Sequence, residues 1–219
     1  MDPRFIKETD IVIDNISLKG ELVIPVNSDA IIIFSHGSGS SRFSKRNQFV
    51  AAYLHKKNFG TLLFDLLTEE EDQEYSNRFN IDLLTRRLIG ATKWLQDVPE
   101  ARDYPICYFG ASTGAASALK AAAAALPQIS AIVSRGGRPD LAMQDLSGVK
   151  AATLLLVGSK DEEVLQLNRK AYLKLNCEKE LDVIQGASHL FEEQGTMSQV
   201  CERAAAWFEK YYHGVVTSN

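Results

Sequence analysis

The sequence predicts an α/β protein built on a mostly parallel sheet. Two observations lead there: short unbroken apolar runs, and helical patterns that alternate with them. Strands buried on both faces lose the polar alternation of a half-exposed sheet. Runs such as AIIIFS at 30–35 and ATLLLVG at 152–158 therefore point to parallel strands covered by helices. A regular succession of strand and helix is the pattern of a doubly wound sheet.

The first 26 residues differ in texture. Ile11, Ile13, Ile16, Leu18, Leu22 and Ile24 stand among polar residues, which predicts two strands in an antiparallel hairpin at a sheet edge. Further strands are expected at 30–35, 61–65, 106–110, 129–134, 152–158 and, more weakly, 180–184, about eight in all. Helices are expected over 43–58 (stripe Phe49, Val50, Tyr53, Leu54), 81–95 (Leu84, Leu88, Ala91, Leu95) and 113–126. Two more follow at 163–175 and 198–212, the last with Val200, Ala204, Trp207, Phe208 and Tyr211 inward. Leu67 to Asn80 is acidic and poor in apolar residues, which predicts a solvated loop, with a lid over the site as the functional alternative. With no repeat, linker or insertion long enough for a helical cap, residues 1–219 are expected to form one domain with no cap domain.

Hydrophobic residues at 45% and charged residues at 24% are ordinary for a soluble globular chain. The 24 basic and 28 acidic residues leave a net charge of −4, which argues against a nucleic-acid protein working through a general basic surface. No apolar run approaches the roughly 20 residues of a membrane span. The N-terminal MDPRFIKETD has mixed charge and lacks the apolar core of a secretory leader. Cys107, Cys177 and Cys201 have neither disulfide-framework nor metal-site spacing. The expectation is a cytoplasmic protein with no nucleic-acid or membrane partner and no metal; monomer and homodimer are equally compatible with the sequence.

Chemistry enters at YFGASTGAAS. Gly110-Ala111-Ser112-Thr113-Gly114 fits G-x-S-x-G, the pattern of a serine carried on a sharp strand-to-helix turn. The context agrees: a buried strand precedes Ser112, an alanine-rich helix follows, and Gly110, Ala111, Gly114 and Ala115 are all small enough for the close packing such a turn needs. The plainer alternative is a glycine-punctuated turn whose serine caps the helix.

A serine hydroxyl needs a base, usually a histidine oriented by a carboxylate. Of four histidines, His55 sits in a helix beside two lysines and reads as surface, and His213 lies in the tail. His36 follows the 30–35 strand and is expected to brace the next loop by hydrogen bonding. His189, in VIQGASHLFEE between the last strand and the last helix, fits the chain order serine, acid, histidine. The acid belongs between them, after a strand. Asp161 is the first choice, Asp140 the second, and Glu162 is adjacent; each aspartate is also placed to cap a helix. Oxyanion donors are expected from the backbone of Thr113 and of Ser38 in HGSGS. That glycine-serine loop lacks the third glycine of a dinucleotide fingerprint, and no GK[ST] follows it.

HGSGS, GASTG, GSKDEE and GASHLF, in that order, make the chain resemble the α/β-hydrolase superfamily over most of its length. The capless build and GASHLF are similar to the dienelactone-hydrolase-like branch. The resemblance implies a triad of Ser112, Asp161 and His189, oxyanion donors Thr113 and Ser38, and ester hydrolysis without a cofactor. Dienelactone hydrolases carry a cysteine nucleophile where this chain has Ser112, so the reading is a carboxylesterase; Cys107, inside the preceding strand, is read as core. An uncapped, shallow site favours small or short-chain acyl esters. Arg42, Arg135 and Arg138 all fall at strand carboxyl ends, where ligands bind in such sheets. Ordinary ion pairing is one role for them; gripping a substrate carboxylate or phosphate is the other, with Arg42 and Arg138 as the candidates. A non-hydrolytic ligand-binding module, and a thioesterase or acyltransferase using the same triad, are the rival functions.

Overall fold

The computed structural model describes residues 3–124 and 128–214. Strands β1 (Pro3–Ile13) and β2 (Ile16–Pro25) pair antiparallel across a two-residue turn, in which Asp14 takes a left-handed φ of 52°. Strands β3 (Ala30–Ser35), β4 (Phe59–Phe64), β5 (Ile106–Ala111), β6 (Ala131–Arg135), β7 (Ala152–Gly158) and β8 (Lys179–Ile184) follow. All eight join one sheet in the order β1-β2-β4-β3-β5-β6-β7-β8. Pairing is antiparallel from β1 to β4 and parallel from β4 to β8. The hairpin thus sits at one edge, as its alternating sequence predicts.

Strands β3 to β7 are buried throughout, which is why their sequences read as unbroken apolar runs. Alternate residues still serve opposite faces. Ile31 and Ile33 of β3 face one core; Ala30, Ile32 and Phe34 face the other. Helices α3 (Ile81–Asp97), α4 (Thr113–Ala123) and α5 (Glu162–Lys174) contribute to the first, through Leu84, Leu88, Leu119 and Ala171. Helices α1 (Lys45–Lys56) and α6 (Thr196–Tyr211) cover the second with Val50, Leu54, Val200, Trp207 and Phe208. The Trp207 indole also donates to the Ala152 carbonyl at 3.1 Å, tying α6 to β7.

Three details differ from the sequence reading. The inward stripe of α1 is Asn47, Val50, Ala51 and Leu54; Phe49 is half exposed, because it lies about 100° around the helix from Val50. His55 is half-buried rather than on the surface, its Nε2 hydrogen-bonded to Thr61 Oγ1 at 2.8 Å. The acidic segment is ordered: α2 (Glu69–Gln73) and a 3₁₀ turn at Tyr75–Phe79 fill it. Burial does not build α2, which has no buried residue. Thr68 and Glu71 form a capping box, four acids occupy the first turn, Glu71 pairs with Arg87 at 2.5 Å, and the Asp72 carboxylate accepts from Arg78 Nε and Nη2, each at 2.9 Å. For α4, the structure ends the helix at Ala123, and the expected Leu126 lies outside the described residues. Only short 3₁₀ turns at Pro139–Ala142 and Leu146–Gly148 lie between β6 and β7, so no helical cap is inserted there.

Candidate active site

Ser112 is the hinge between β5 and α4, with φ 51° and ψ −121°. A non-glycine residue in that region is strained, and here the surroundings enforce it. Its N–H donates to the Arg135 carbonyl at 3.3 Å, and its own carbonyl accepts the Arg138 N–H at 3.0 Å. The flanking glycines are needed for space. A Cβ on Gly110 would lie 2.5 Å from Ala115 Cα, and one on Gly114 would run into the Ser35 and His36 carbonyl oxygens. Helix α4 therefore starts hard against the end of β3. Buried hydroxyls bolt it there: Ser35 Oγ meets Ser117 Oγ at 2.8 Å, and Ser117 Oγ donates to the Gly114 carbonyl at 2.9 Å. The Ser112 side chain does not cap α4, so the plain capping alternative is not what this residue does.

Asp161 occupies the N-cap position of α5 and likewise makes no cap bond. Its Oδ2 instead lies 2.6 Å from His189 Nδ1, with the aspartate mostly buried and the histidine partly open. The other two acids are elsewhere: Asp140 gives both oxygens to Arg138 at 2.8 Å, and Glu162 begins α5. The loops bearing Asp161 and His189 are stitched together, Ser159 N–H to the Ile184 carbonyl at 3.0 Å and Lys160 N–H to the Ala187 carbonyl at 2.9 Å. Glu193, which the sequence reading passed over, braces the histidine loop by accepting the Ser188 N–H on both carboxylate oxygens, at 3.0 and 3.1 Å. These backbone bonds hold its carboxyl below the usual glutamate range. Among the described residues no hydrogen bond joins Ser112 Oγ to His189. Catalytic hydrogen bonds are often long or poorly aligned in ligand-free sites.

The HGSGS loop lies over the start of α4. Ser38 N–H donates to Thr113 Oγ1 at 2.9 Å, so the two expected oxyanion donors are neighbours and one is engaged by the other's hydroxyl. His36 braces the loop as predicted: Nδ1–H donates to the Gly37 carbonyl and Nε2 accepts the Leu66 N–H, both at 3.0 Å. Both bonds together require the neutral ring, and burial lowers its pKa accordingly.

The two arginines expected to grip substrate are otherwise occupied. Arg42 is paired through its guanidinium and its backbone N–H with Asp65, an acid the sequence reading left unassigned. Arg138 is held by Asp140 two residues on. A cleft of about 230 Å³ beside Arg42 is lined by His36, Ser41, Asp65, Thr68, Glu69 and Asp72; neither Ser112 nor His189 borders it. The start of the 67–80 segment, through Leu67, Thr68, Glu69 and Asp72, thus walls a cleft next to the HGSGS loop. Cys107 is core, its thiol pushed up to about 12 by burial. No described helix is long and apolar enough to cross a membrane. Among the described residues, no group of three or more His, Cys, Asp or Glu side chains is placed to hold a metal.

Comparison with known proteins finds structures that share this fold. A dienelactone hydrolase from Anabaena variabilis superposes with a TM-score of 0.92 at 46% identity, covering 96% of this chain and 99% of that one. An esterase of Pyrococcus furiosus (TM-score 0.77, 18% identity, 95% and 92% covered) shares the fold. So does an esterase domain of a Rhodothermus marinus protein (0.76, 17%, 95% and 99%). Two Mycobacterium tuberculosis proteins, provisionally named phosphoribosyl transferases, are 48% identical over 202 residues. That match covers 92% of this chain but 46% of theirs, so the chain spans about half the length of these relatives. No protein-family model matches the chain.

Proposed function

Because the chain belongs to the dienelactone-hydrolase-like branch of the α/β-hydrolases, we propose that this hydrolase is a serine carboxylesterase acting on small or short-chain acyl esters. The observation that carries the reading is the Asp161–His189 contact of 2.6 Å, made by an aspartate that leaves its helix uncapped to make it. A structural N-cap would contribute about 1 kcal/mol to the helix. The side chain instead holds an imidazole by Nδ1, which leaves Nε2 for proton transfer.

In the proposed mechanism, His189 Nε2 takes the Ser112 proton as Oγ attacks the ester carbonyl. The backbone N–H of Thr113 and that of Ser38 hold the developing oxyanion; Thr113 Oγ1 keeps the Ser38 amide in place until the substrate oxygen replaces it. His189 then protonates the leaving alcohol, and water releases the acid by the same route in reverse. Asp161 fixes the tautomer and stabilises the imidazolium. No step needs a cofactor. The serine at the elbow favours simple carboxylic esters over the dienelactones for which the Anabaena relative is named. The phosphoribosyl transferase named for the mycobacterial relatives is not carried over, since the match spans 46% of their length and the Ser112 turn and the Asp161–His189 contact support acyl transfer instead.

Ser112→Ala should lower kcat on p-nitrophenyl acetate by roughly 10⁴–10⁶-fold and abolish labelling by a fluorophosphonate probe. Wild-type turnover surviving in that variant would remove the triad. Absence of labelling in the wild type would favour the non-hydrolytic, ligand-binding alternative.

A further inference from the structure

Helix α5 turns one polar side chain inward. Its buried stripe runs Val164, Leu165, Asn168, Ala171 and Leu175, and Asn168 is fully buried in that otherwise apolar series. Asn168 Nδ2 donates twice, to the Val164 carbonyl one turn back at 2.8 Å and to the Gly137 carbonyl at 3.0 Å. Its Oδ1 is buried and, among the described residues, has no partner. Both acceptors are carbonyls, so the amide orientation is fixed: turning it would set an oxygen against two oxygens. For the helix alone an apolar residue would serve better, because asparagine is a weak helix former and a buried unpaired oxygen is costly. What this amide adds is the bond to Gly137, 31 residues away in the chain.

Gly137 lies in Arg135-Gly136-Gly137-Arg138, the turn that leaves β6. That turn meets both proposed reacting residues. The Arg135 carbonyl accepts the Ser112 N–H at 3.3 Å and the Arg138 N–H donates to the Ser112 carbonyl at 3.0 Å, so the elbow serine is gripped on both sides. Gly136, at φ 52°, backs the histidine: a Cβ there would lie 3.2 Å from the His189 carbonyl oxygen and 3.5 Å from His189 Cε1. A Cβ on Gly137 would lie 2.0 Å from Ser134 Oγ and 2.7 Å from Ala115 Cβ, in the first turn of α4. Two glycines let the turn pass between the elbow and the imidazole, and they also leave it without side chains of its own to lock it there. The Gly136 N–H is held by the Leu156 carbonyl at 2.7 Å, and the Gly137 carbonyl by Asn168.

We infer that Asn168 is a positioning residue for the proposed triad: from α5 it fixes the 135–138 turn, and the turn fixes Ser112 relative to His189. The inference rests on the esterase reading of those residues. Helix α5 then acts at two points. Asp161 at its N-cap holds the imidazole by Nδ1, and Asn168, two turns on, holds the turn against which the serine elbow and the ring both rest. The separation across which His189 takes the Ser112 proton is thus set from one helix on both sides. A misplacement of about 1 Å, caused far from the reacting atoms, can lower a rate by about 10²-fold. Being fully buried, Asn168 has no surface to offer an ester, so its removal acts on kcat and not on KM.

Two substitutions separate the two bonds of the amide. Asn168→Ala removes both; Asn168→Ser keeps a hydroxyl able to bond the Val164 carbonyl one turn back but too short to reach Gly137. Both proteins, checked for folding by circular dichroism, should hydrolyse p-nitrophenyl acetate with kcat lowered about 10- to 100-fold and KM within about twofold. Asn168→Ser carries the test if Asn168→Ala does not fold. A second readout needs no turnover. The Cε1–H resonance of His189, assigned in ¹H–¹³C spectra by its loss in His189→Gln, should shift in both variants while that of His55, on α1, stays in place. A purely structural Asn168 would lower the urea midpoint and leave kcat and the His189 resonance as in wild type, and that result overturns the inference. A loss confined to KM overturns it as well, as does wild-type kcat in Asn168→Ser, because the bond within the helix would then suffice. If the wild type hydrolysed no ester, the esterase reading would fail while the His189 resonance still decided whether Asn168 sets the turn.

Discussion

At the scale of single residues, what distinguishes a site from a turn is which bonds a side chain forgoes. Ser112 and Asp161 both stand at helix N-caps, where serine and aspartate normally bond the first turn, and neither does. Asp161 spends its oxygen on His189, whereas Asp140, equally well spaced in the sequence, is neutralised by Arg138. Asp161→Asn keeps the size and removes the charge and the acceptor that selects the tautomer. It should reduce kcat by about 10⁴-fold, going by the same change in a serine-protease triad, with little effect on folding. A loss of tenfold or less, measured on p-nitrophenyl acetate at pH 7.5, would show that Asp161 is not the third member. Sequence spacing could rank Asp161 above Asp140 but could not see the Arg138 fork that removes the competitor. The same blindness put Arg42 and Arg138 forward: strand-end position is legible, the carboxylate sitting opposite is not.

Among the elements, the βα junction at 110–115 shows local sequence and tertiary packing agreeing. Gly-Ala-Ser-Thr-Gly predicts a tight elbow, and the structure gives the reason at Gly114, where any side chain would meet the carbonyls of Ser35 and His36 at the end of the neighbouring strand β3. Backbone carbonyls cannot swing aside as a side-chain tip can. Gly114→Ala should therefore cost about 1–3 kcal/mol, read as a lower urea midpoint, and should also lower kcat because the strain is relieved by moving the Ser112 turn. An unchanged midpoint would mean that β3 and α4 are less closely packed than described. The acidic segment is the opposite case. Its lack of apolar residues predicted a solvated loop, but a capping box and two arginine clamps order it into a short helix and a 3₁₀ turn without burial. Those clamps join residues 6 and 16 apart, beyond what local pattern reveals.

Over the whole molecule, two histidines set a stability limit on the acid side. His36 and His55 are buried or half-buried, and desolvation lowers both pKa values below the ordinary 6.5. The unfolded chain then takes up protons near pH 6.5 that the folded chain refuses. Their contribution is full above pH 6.5 and is lost as pH falls through 6.5 toward the depressed folded values. Equilibrium urea unfolding should show a lower midpoint at pH 5.0 than at pH 7.5, and His36→Gln should flatten that slope; equal midpoints would contradict the buried neutral ring. The uncapped sheet sets a second expectation at this scale. With only short turns between β6 and β7, activity on p-nitrophenyl esters should peak at short chains, and a steady rise toward long acyl groups would argue for a deep acyl pocket.

The amino-acid sequence alone determined the sheet, the order of its strands along the chain and the Ser112 elbow, because each is written in local signals, unbroken apolar runs and a glycine-framed serine; it also singled out His189, one of only four histidines, as the proposed base. Tertiary structure decided what depends on partners far apart in the chain. It brought Asp161 to His189, gave Arg42 and Arg138 their carboxylates, and left Arg135 buried without one. A cation's partner is a matter of distance in space, and hydrophobic periodicity carries no information about that distance.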